Sequence, residues 1–131
     1  MGLVISMSDS PFAQKKTYSD DDGEYTFTED PTEVQMNYSN ARVVMQRIGI
    51  PDGRYEFEMG TMDATEFLVR VIRAIHADVP DEGICATVNK IPDGPTVYDM
   101  GRREGYTNQR LMQMKDLAEK AICHNRFIGW A

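Results

Sequence analysis

The chain has 131 residues, of which 41% are apolar and 27% are charged, and it carries a net charge of −7. This length and balance fit one globular domain. They exclude a membrane-spanning helix, because the sequence lacks a run of roughly 18 apolar residues, and a disulfide scaffold, because there are only two cysteines.

The negative charge is concentrated near the N-terminus. Residues 1–36 contain eight acidic residues and two lysines, whereas residues 37–131 contain thirteen acidic and twelve basic residues. A protein that tracks a nucleic-acid backbone needs the opposite sign over a large face, so nucleic acid is not an expected partner. Two interpretations remain open: a solvated hairpin edge that prevents aggregation, or a surface that attracts a basic partner. The residues concerned include Asp20, Asp21, Asp22 and Glu24.

The first third of the chain has the pattern of a β-meander or hairpin. Leu3–Met7 is a short run typical of a strand, and Glu24–Glu29 alternates polar and aromatic residues with the period of a half-buried strand. Between them, Asp22-Gly23 is a turn signal, since glycine adopts a positive φ without strain.

Two amphipathic helices are predicted in the middle of the chain. Asn37 or Ser39 caps the first, which ends at Gly49. Asp63–Glu66 reads as a capping box that begins the second, which closes before Pro80. Between the helices, Arg54–Met59 alternates like a strand. The inward positions of the two helices are Ala41, Val44, Met45 and Ile48, then Phe67, Leu68, Val71, Ile72 and Ile75.

The last third contains one ambiguous segment, a helix and a closing strand. Ile84–Val88 and Thr96–Met100 form either two strands around a turn or part of a long ordered loop. Thr107 is expected to cap a third helix, and Phe127–Trp130 is expected to form a strand. If that strand docks inside the sheet, Trp130 belongs to the core; at an edge it is a surface for dimerisation or for a partner. The inward positions of the third helix are Leu111, Met114, Leu117, Ala118, Ala121 and Ile122.

This order of elements predicts an α+β fold over residues 1–131, with three helices packed on one face of a small, largely antiparallel β-sheet. No metal site and no cofactor are expected. The only close pair of possible zinc ligands, Cys123 and His124, is adjacent in sequence, so its side chains point about 100° apart on a helix. Cys85 lies in apolar sequence and is expected to be a small buried residue. No catalytic residues are assigned, because no nucleophile with a base is recognisable.

One segment has residues suited to an anion. Arg102 and Arg103 lie in a glycine-flanked loop that leads directly into the third helix, whose free amides favour negative charge. The two guanidinium groups are suited to a phosphate or carboxylate, with Tyr106 stacking or donating. The alternative is a structural loop held by arginine pairs to Glu104 or to the acidic hairpin.

A second candidate for ligand binding is the start of the first helix. Asn37, Asn40 and Arg42 place more polar groups there than capping alone requires. Local bonding between these side chains and the backbone is the alternative explanation.

Two parts of the sequence together resemble small proteins of bacteriophages, prophages and some bacterial genomes. The first is Asn37–Arg42, an NxNAR-like helix start, with Ile48–Ile50 closing the same helix. The second is Gly101–Tyr106, followed by Arg110-Leu111, Leu117-Ala118 and Ala121, with the IxWA-like end Ile128–Ala131. The resemblance brings no activity with it. It implies only an accessory protein of phage type that acts in the host cytoplasm.

The leading expectation is therefore a small accessory protein of a phage or mobile element, which is not an enzyme and binds a host or defence protein. It is also expected to form a homo-oligomer and to have no membrane partner. The alternatives are a binder or sponge for an anionic, nucleotide-like small molecule, and a small enzyme of unknown class. The first seven residues are too short and uncharged for a signal peptide, and the cysteines lack pairing motifs, so the expected compartment is the cytoplasm.

Overall fold

The computed structural model describes residues 2–50, 59–77, 79–85, 87–90, 92–94, 96–99 and 101–131, and for 87–90 and 96–99 the backbone alone. These residues form eight strands and three helices. The strands are β1 (Gly2–Met7), β2 (Gln14–Asp20), β3 (Gly23–Glu29), β4 (Val34–Asn37), β5 (Gly60–Met62), β6 (Thr87–Lys90), β7 (Thr96–Asp99) and β8 (Ile128–Trp130). The helices are α1 (Tyr38–Arg47), α2 (Ala64–His76) and α3 (Tyr106–Cys123). Of the predicted strand Arg54–Met59, residues 54–58 lie outside the described residues.

Four strands form an antiparallel sheet in the order β4-β1-β8-β5. In β1, Leu3, Ile5 and Met7 are buried, and the residues between them are less so. This alternation directs one face of the sheet to the core. The closing strand β8 lies inside the sheet, with Ile128 opposite Met7 on one side and Met62 on the other.

The predicted caps of α1 and α2 are confirmed. The Asn37 side chain accepts a hydrogen bond from the Asn40 amide at 2.8 Å, and α1 ends before Gly49 with its φ of +77°. The Asp63 carboxylate accepts from the amides of Thr65 and Glu66 at 3.1 and 3.3 Å. Capping therefore explains where both helices begin.

The start of α3 differs from the prediction. Its N-cap is Gly105, with a φ of +77° and no side chain to donate to or accept from the helix, and Thr107 is buried. The cap comes instead from Asp81, whose carboxylate accepts from the Asn108 amide at 2.8 Å. The Asp81 carbonyl also accepts from the Gly105 amide at 3.1 Å, so a distant loop holds the helix start.

The α+β class is confirmed, but the placement of all three helices on one sheet face is not. Helices α1 and α3 lie against β1 and β4, whereas α2 packs mainly against α3. The four predicted inward residues of α1 are buried, and so are those of α3 except the partly exposed Ile122. On α2, Phe67 and Val71 are buried, and the other three predicted positions are partly exposed.

Two further antiparallel ribbons lie outside the four-stranded sheet. Strands β6 and β7 pair with Thr87 opposite Asp99, which supports two strands over a loop in the ambiguous segment. Just before and after that ribbon, Ile84 and Arg102 form an isolated bridge. Strands β2 and β3 pair over seven residues each, and we call residues 14–29 the arm.

Candidate functional site

The starts of α1 and α3 line one shallow cavity of about 590 Å³ that is widely open to solvent, which we call the helix-start cavity. Of the residues predicted to hold an anion, Asn37, Asn40 and Tyr106 line it. Arg42, Arg102 and Arg103 are not among its lining residues. The full lining is Gly2, Leu3, Val4, Gln35, Met36, Asn37, Asn40, Gly101, Tyr106 and Arg110.

Arg110 is the cationic residue of this cavity, and the sequence analysis missed it. Its guanidinium carbon lies 5.0 Å from the centre of the Tyr106 ring, and Nη1 donates to the Gln113 side chain at 2.8 Å. Its Nε is buried and has no hydrogen-bond partner among the described residues. The signal in the sequence was the spacing, since Tyr106 and Arg110 are four residues apart and so share a helix face.

The loop that holds Arg102 and Arg103 is tied to a neighbouring segment. Ile84 and Arg102 exchange two backbone hydrogen bonds, of 2.6 and 2.8 Å. A Cβ atom on Gly83 would lie 2.8 Å from the Glu104 nitrogen, so the two backbones pack in direct contact. Arg103 donates to the Gln109 side chain. Among the described residues, the loop is therefore fixed mainly through its backbone, with no ion pair from either arginine.

The arm carries an exposed stack of three aromatic rings, which we call the aromatic face. Tyr18 lies directly opposite Tyr25, and Phe27 lies opposite Lys16, so all four side chains share one face of the ribbon. The Tyr18 and Phe27 rings are parallel at 4.8 Å, and Tyr25 is 6.1 and 6.2 Å from them. The three side chains are 40–51% exposed. The strand predicted at Glu24–Glu29 is thus confirmed, but its predicted half-burial is wrong.

The tip of the arm is acidic and fully exposed. Asp20, Asp21, Asp22 and Glu24 surround a turn in which Gly23 has a φ of +126°, as the turn signal predicted. The Asp22 amide donates to the Asp20 carboxylate at 2.8 Å, which shapes the turn. None of these four carboxylates forms an ion pair with another described residue. The tip therefore projects uncompensated negative charge.

The base of the arm is held by polar contacts. Lys16 and Glu29 form an ion pair of 2.7 Å, and the hydrogen bond that the Lys16 ammonium donates to this carboxylate raises the pKa of Lys16. Burial alone would raise the pKa of Asp30. Hydrogen bonds with Ser10, the Thr32 hydroxyl and the Thr32 amide outweigh it, so the pKa of this carboxyl is lowered. Asp30 thus joins the two chain segments that enter and leave the arm.

Trp130 lies within the sheet because β8 is an inner strand. It is partly buried against the core, and it covers Gly60 so closely that a Cβ atom there would overlap the indole. The sequence predicts that Trp130 belongs to the core if its strand docks inside the sheet, and β8 meets this condition. Its predicted role as a partner surface required β8 to be an edge strand, and β8 lies between β1 and β5.

The reactive side chains are dispersed. Cys85 is exposed, so the expectation of a buried thiol is wrong, and Cys123 is exposed as well. Within the described ranges, no group of three or more histidine, cysteine, aspartate or glutamate residues is placed to hold a metal ion. In the same part of the chain, no helix is both long and apolar enough to cross a membrane.

Comparison of the chain with protein-family models finds no match, and neither do comparisons with curated proteins and with solved structures. The class that the geometry defines is an α+β protein with a projecting aromatic arm and a separate cavity between two helix starts.

Proposed function

We propose that this protein acts without catalysis, by binding a basic surface of a partner protein through its arm. The observation that carries the proposal is the aromatic face, where three stacked rings are exposed on a ribbon that also carries uncompensated acidic charge at its tip. Scattered exposed apolar residues are normal on any protein, but three in mutual contact on one ribbon form a patch.

The ribbon is an unusual place for aromatic residues that have only a folding role. A two-stranded ribbon is marginally stable by itself, and each cross-strand pair contributes only about 0.2–1 kcal/mol. In contrast, tyrosine and other aromatic residues dominate the binding energy of protein interfaces, because they bury a large rigid surface. A partner that covers the aromatic face would therefore gain more free energy than the rings contribute to the ribbon.

The acidic tip determines the sign of the charge that we expect on the partner's surface. Asp20, Asp21, Asp22 and Glu24 create a local negative field that accelerates the approach of a basic surface and repels an acidic one. The field extends about 8 Å at physiological ionic strength, so it acts at the contact itself. This is why we infer a basic partner rather than a second copy of the chain, whose net charge is −7.

The biological setting is proposed from the sequence resemblance. A small phage-type accessory protein that occupies a host or defence protein needs an exposed recognition element and no reaction centre. The arm supplies such an element. A host compartment is part of the same hypothesis and rests on the sequence alone. Self-association, which the sequence analysis also expected, is not proposed for the arm.

The proposal is tested with an aromatic-face variant, Tyr18→Ser/Tyr25→Ser/Phe27→Ser, in a pull-down from bacterial lysate after mild crosslinking. We expect the wild-type chain to recover a protein with a basic surface in stoichiometric amount. The variant should recover at least tenfold less of this protein, because central aromatic anchors each contribute about 2 kcal/mol or more. A matched control alters the other face of the ribbon: Thr17→Ser/Thr26→Ser, at the pair whose hydroxyls are 2.9 Å apart.

A second variant, Asp20→Asn/Asp21→Asn/Asp22→Asn, neutralises three of the four acidic side chains at the tip. We expect slower association and a weaker dependence on salt, since steering falls with ionic strength. Equal recovery of the partner by the aromatic-face variant would refute the proposal. So would concentration-dependent dimerisation of the purified wild-type chain that the aromatic-face variant abolishes, because the occupant would then be a second copy.

A further inference from the structure

We propose that the helix-start cavity binds a small anion that carries a phosphate group on a planar ring, of about the size of a nucleoside monophosphate. The proposal is independent of partner binding by the arm. At about 590 Å³ the cavity lies within the range of roughly 300–1,000 Å³ typical of small-molecule sites. Its ends are formed by two helices that are far apart in sequence and are brought together by the fold.

The charge of the cavity walls selects an anion. Among the lining residues, Arg110 is the one charged side chain and none is a carboxylate. In a chain whose net charge is −7, a concave surface whose described lining residues include a cation and no acid is a local exception. Arginine also provides parallel N–H donors whose planar geometry matches phosphate oxygens.

The guanidinium of Arg110 is held in position before any ligand arrives. It stacks on Tyr106 at 5.0 Å, and its Nη1 is fixed by Gln113. A guanidinium held in this way loses less conformational entropy when a phosphate binds than a free surface arginine loses.

Side chains, not helix amides, would hold the ligand. The Asn40 amide already donates to Asn37, and the Asn108 amide already donates to Asp81. Since the Asn37 side-chain oxygen Oδ1 accepts within its own helix, and no described residue accepts from Nδ2, the Nδ2 group is the donor that Asn37 offers a ligand. Asn40, which is 6% exposed, adds a second amide deeper in the wall.

The remaining wall favours a ring beside the phosphate. Val4 and the Tyr106 ring are partly exposed and supply apolar surface beside Arg110, whereas Leu3 and Met36 are buried in the core. Such a cavity, with an apolar wall and a few convergent polar groups, is the usual form of a small-molecule site. A bare anion would leave the apolar wall unused.

The test is isothermal titration calorimetry with AMP, GMP, CMP, UMP and inorganic phosphate at physiological salt. We expect at least one nucleotide to bind, and inorganic phosphate to bind at least tenfold more weakly. Arg110→Met should weaken the nucleotide at least tenfold. The matched control Arg73→Met removes an exposed arginine of α2 that lies outside the cavity, and should change the affinity less than twofold.

Arg110→Lys keeps the charge and removes the planar fork, so it should bind with intermediate affinity and serves if Arg110→Met does not fold. The idea fails if none of the four nucleotides binds, or if Arg110→Met binds as the wild type does. It also fails if inorganic phosphate binds as tightly as the nucleotides, because the cavity would then be an adventitious ion site only. The aromatic-face variant of the arm should keep full nucleotide affinity, which separates this result from that of the proposed function.

Discussion

The body of the protein and the arm use the same kind of sequence pattern for opposite purposes. In β1 of the body, alternate apolar residues point to a core in which Leu3 and Ile5 are fully buried. In the arm, Tyr18, Tyr25 and Phe27 alternate with polar residues just as regularly, yet their rings remain 40–51% exposed. Alternation thus determines which residues share a face, and the topology determines whether another element covers that face.

The difference has a thermodynamic consequence. The body gains its stability from apolar area removed from water, at roughly 25 cal/mol per Å². The arm gains little from burial and depends on its ladder, the ion pair of Lys16 and the contacts of Asp30 at its base. We therefore expect the body to unfold as a cooperative unit and the arm to open locally at a lower free energy.

The largest effect is expected from a cavity in the body. Phe67 is fully buried on α2, so Phe67→Ala should lower the free energy of unfolding by about 3–5 kcal/mol. Urea denaturation followed by the fluorescence of Trp130, the single tryptophan, measures this directly. The control Phe127→Ala removes the same side chain from a position that is 60% exposed, and should cost less than about 0.5 kcal/mol. Similar losses for the two variants would contradict the assigned core.

A smaller effect is expected where β5 and β8 meet. In Gly60→Ala the new methyl group would overlap the Trp130 indole, and we expect a loss of about 1–3 kcal/mol from overpacking. Gly129→Ala is the matched control, because its Cβ atom would lie 3.6 Å from the Gly60 oxygen, an ordinary contact. Adding Trp130→Leu to Gly60→Ala should recover part of the loss in thermal unfolding followed by circular dichroism. If Gly129→Ala proves the more damaging change, the packing of Trp130 over Gly60 is incorrect.

Local signals predicted the body well, and distant contacts explain most of what they missed. The cap at Asn37, the stop at Gly49 and the apolar stripe of α1 are all set within one short segment, so they were readable. The cap of α3 was not, because Asp81 is 27 residues from the amide that it accepts from.

At the candidate site too, local signals identified single residues, and contacts between distant segments determine which of them lie together. Asn37 and Tyr106 were identified from their own neighbourhoods, but only the fold places them on one cavity. Arg110 lies outside the glycine-flanked loop that was predicted to bind an anion, and its spacing of four residues from Tyr106 is the signal that connects it to this site. The basic pair Arg102 and Arg103 was conspicuous in sequence, yet backbone bonds to a remote segment determine where it lies.

The stability of the base of the arm should depend on pH through Asp30. The lowered pKa of Asp30 means that its ionised form is stabilised in the folded protein. This contribution is fully present above its unfolded pKa, near 3.8, and is lost as the pH falls through the folded value. Asp30→Asn should cost about 1 kcal/mol at pH 7, and the difference from wild type should shrink as the pH falls from about 5 to well below 3.8. Thermal unfolding across this range tests it, and a difference that stays constant with pH would assign the loss to packing instead.

The smallest expected effect on stability belongs to the variant with the largest expected effect on binding. The aromatic-face variant removes three rings from the arm but no side chain from the core, so unfolding reported by Trp130 should shift by less than about 0.5 kcal/mol. Hydrogen exchange of the β2 and β3 amides should become faster in the same variant, because local opening no longer breaks the ring stack. If Trp130 reported a loss as large as that of Phe67→Ala, the arm would be part of the cooperative core, and its rings would serve folding rather than recognition.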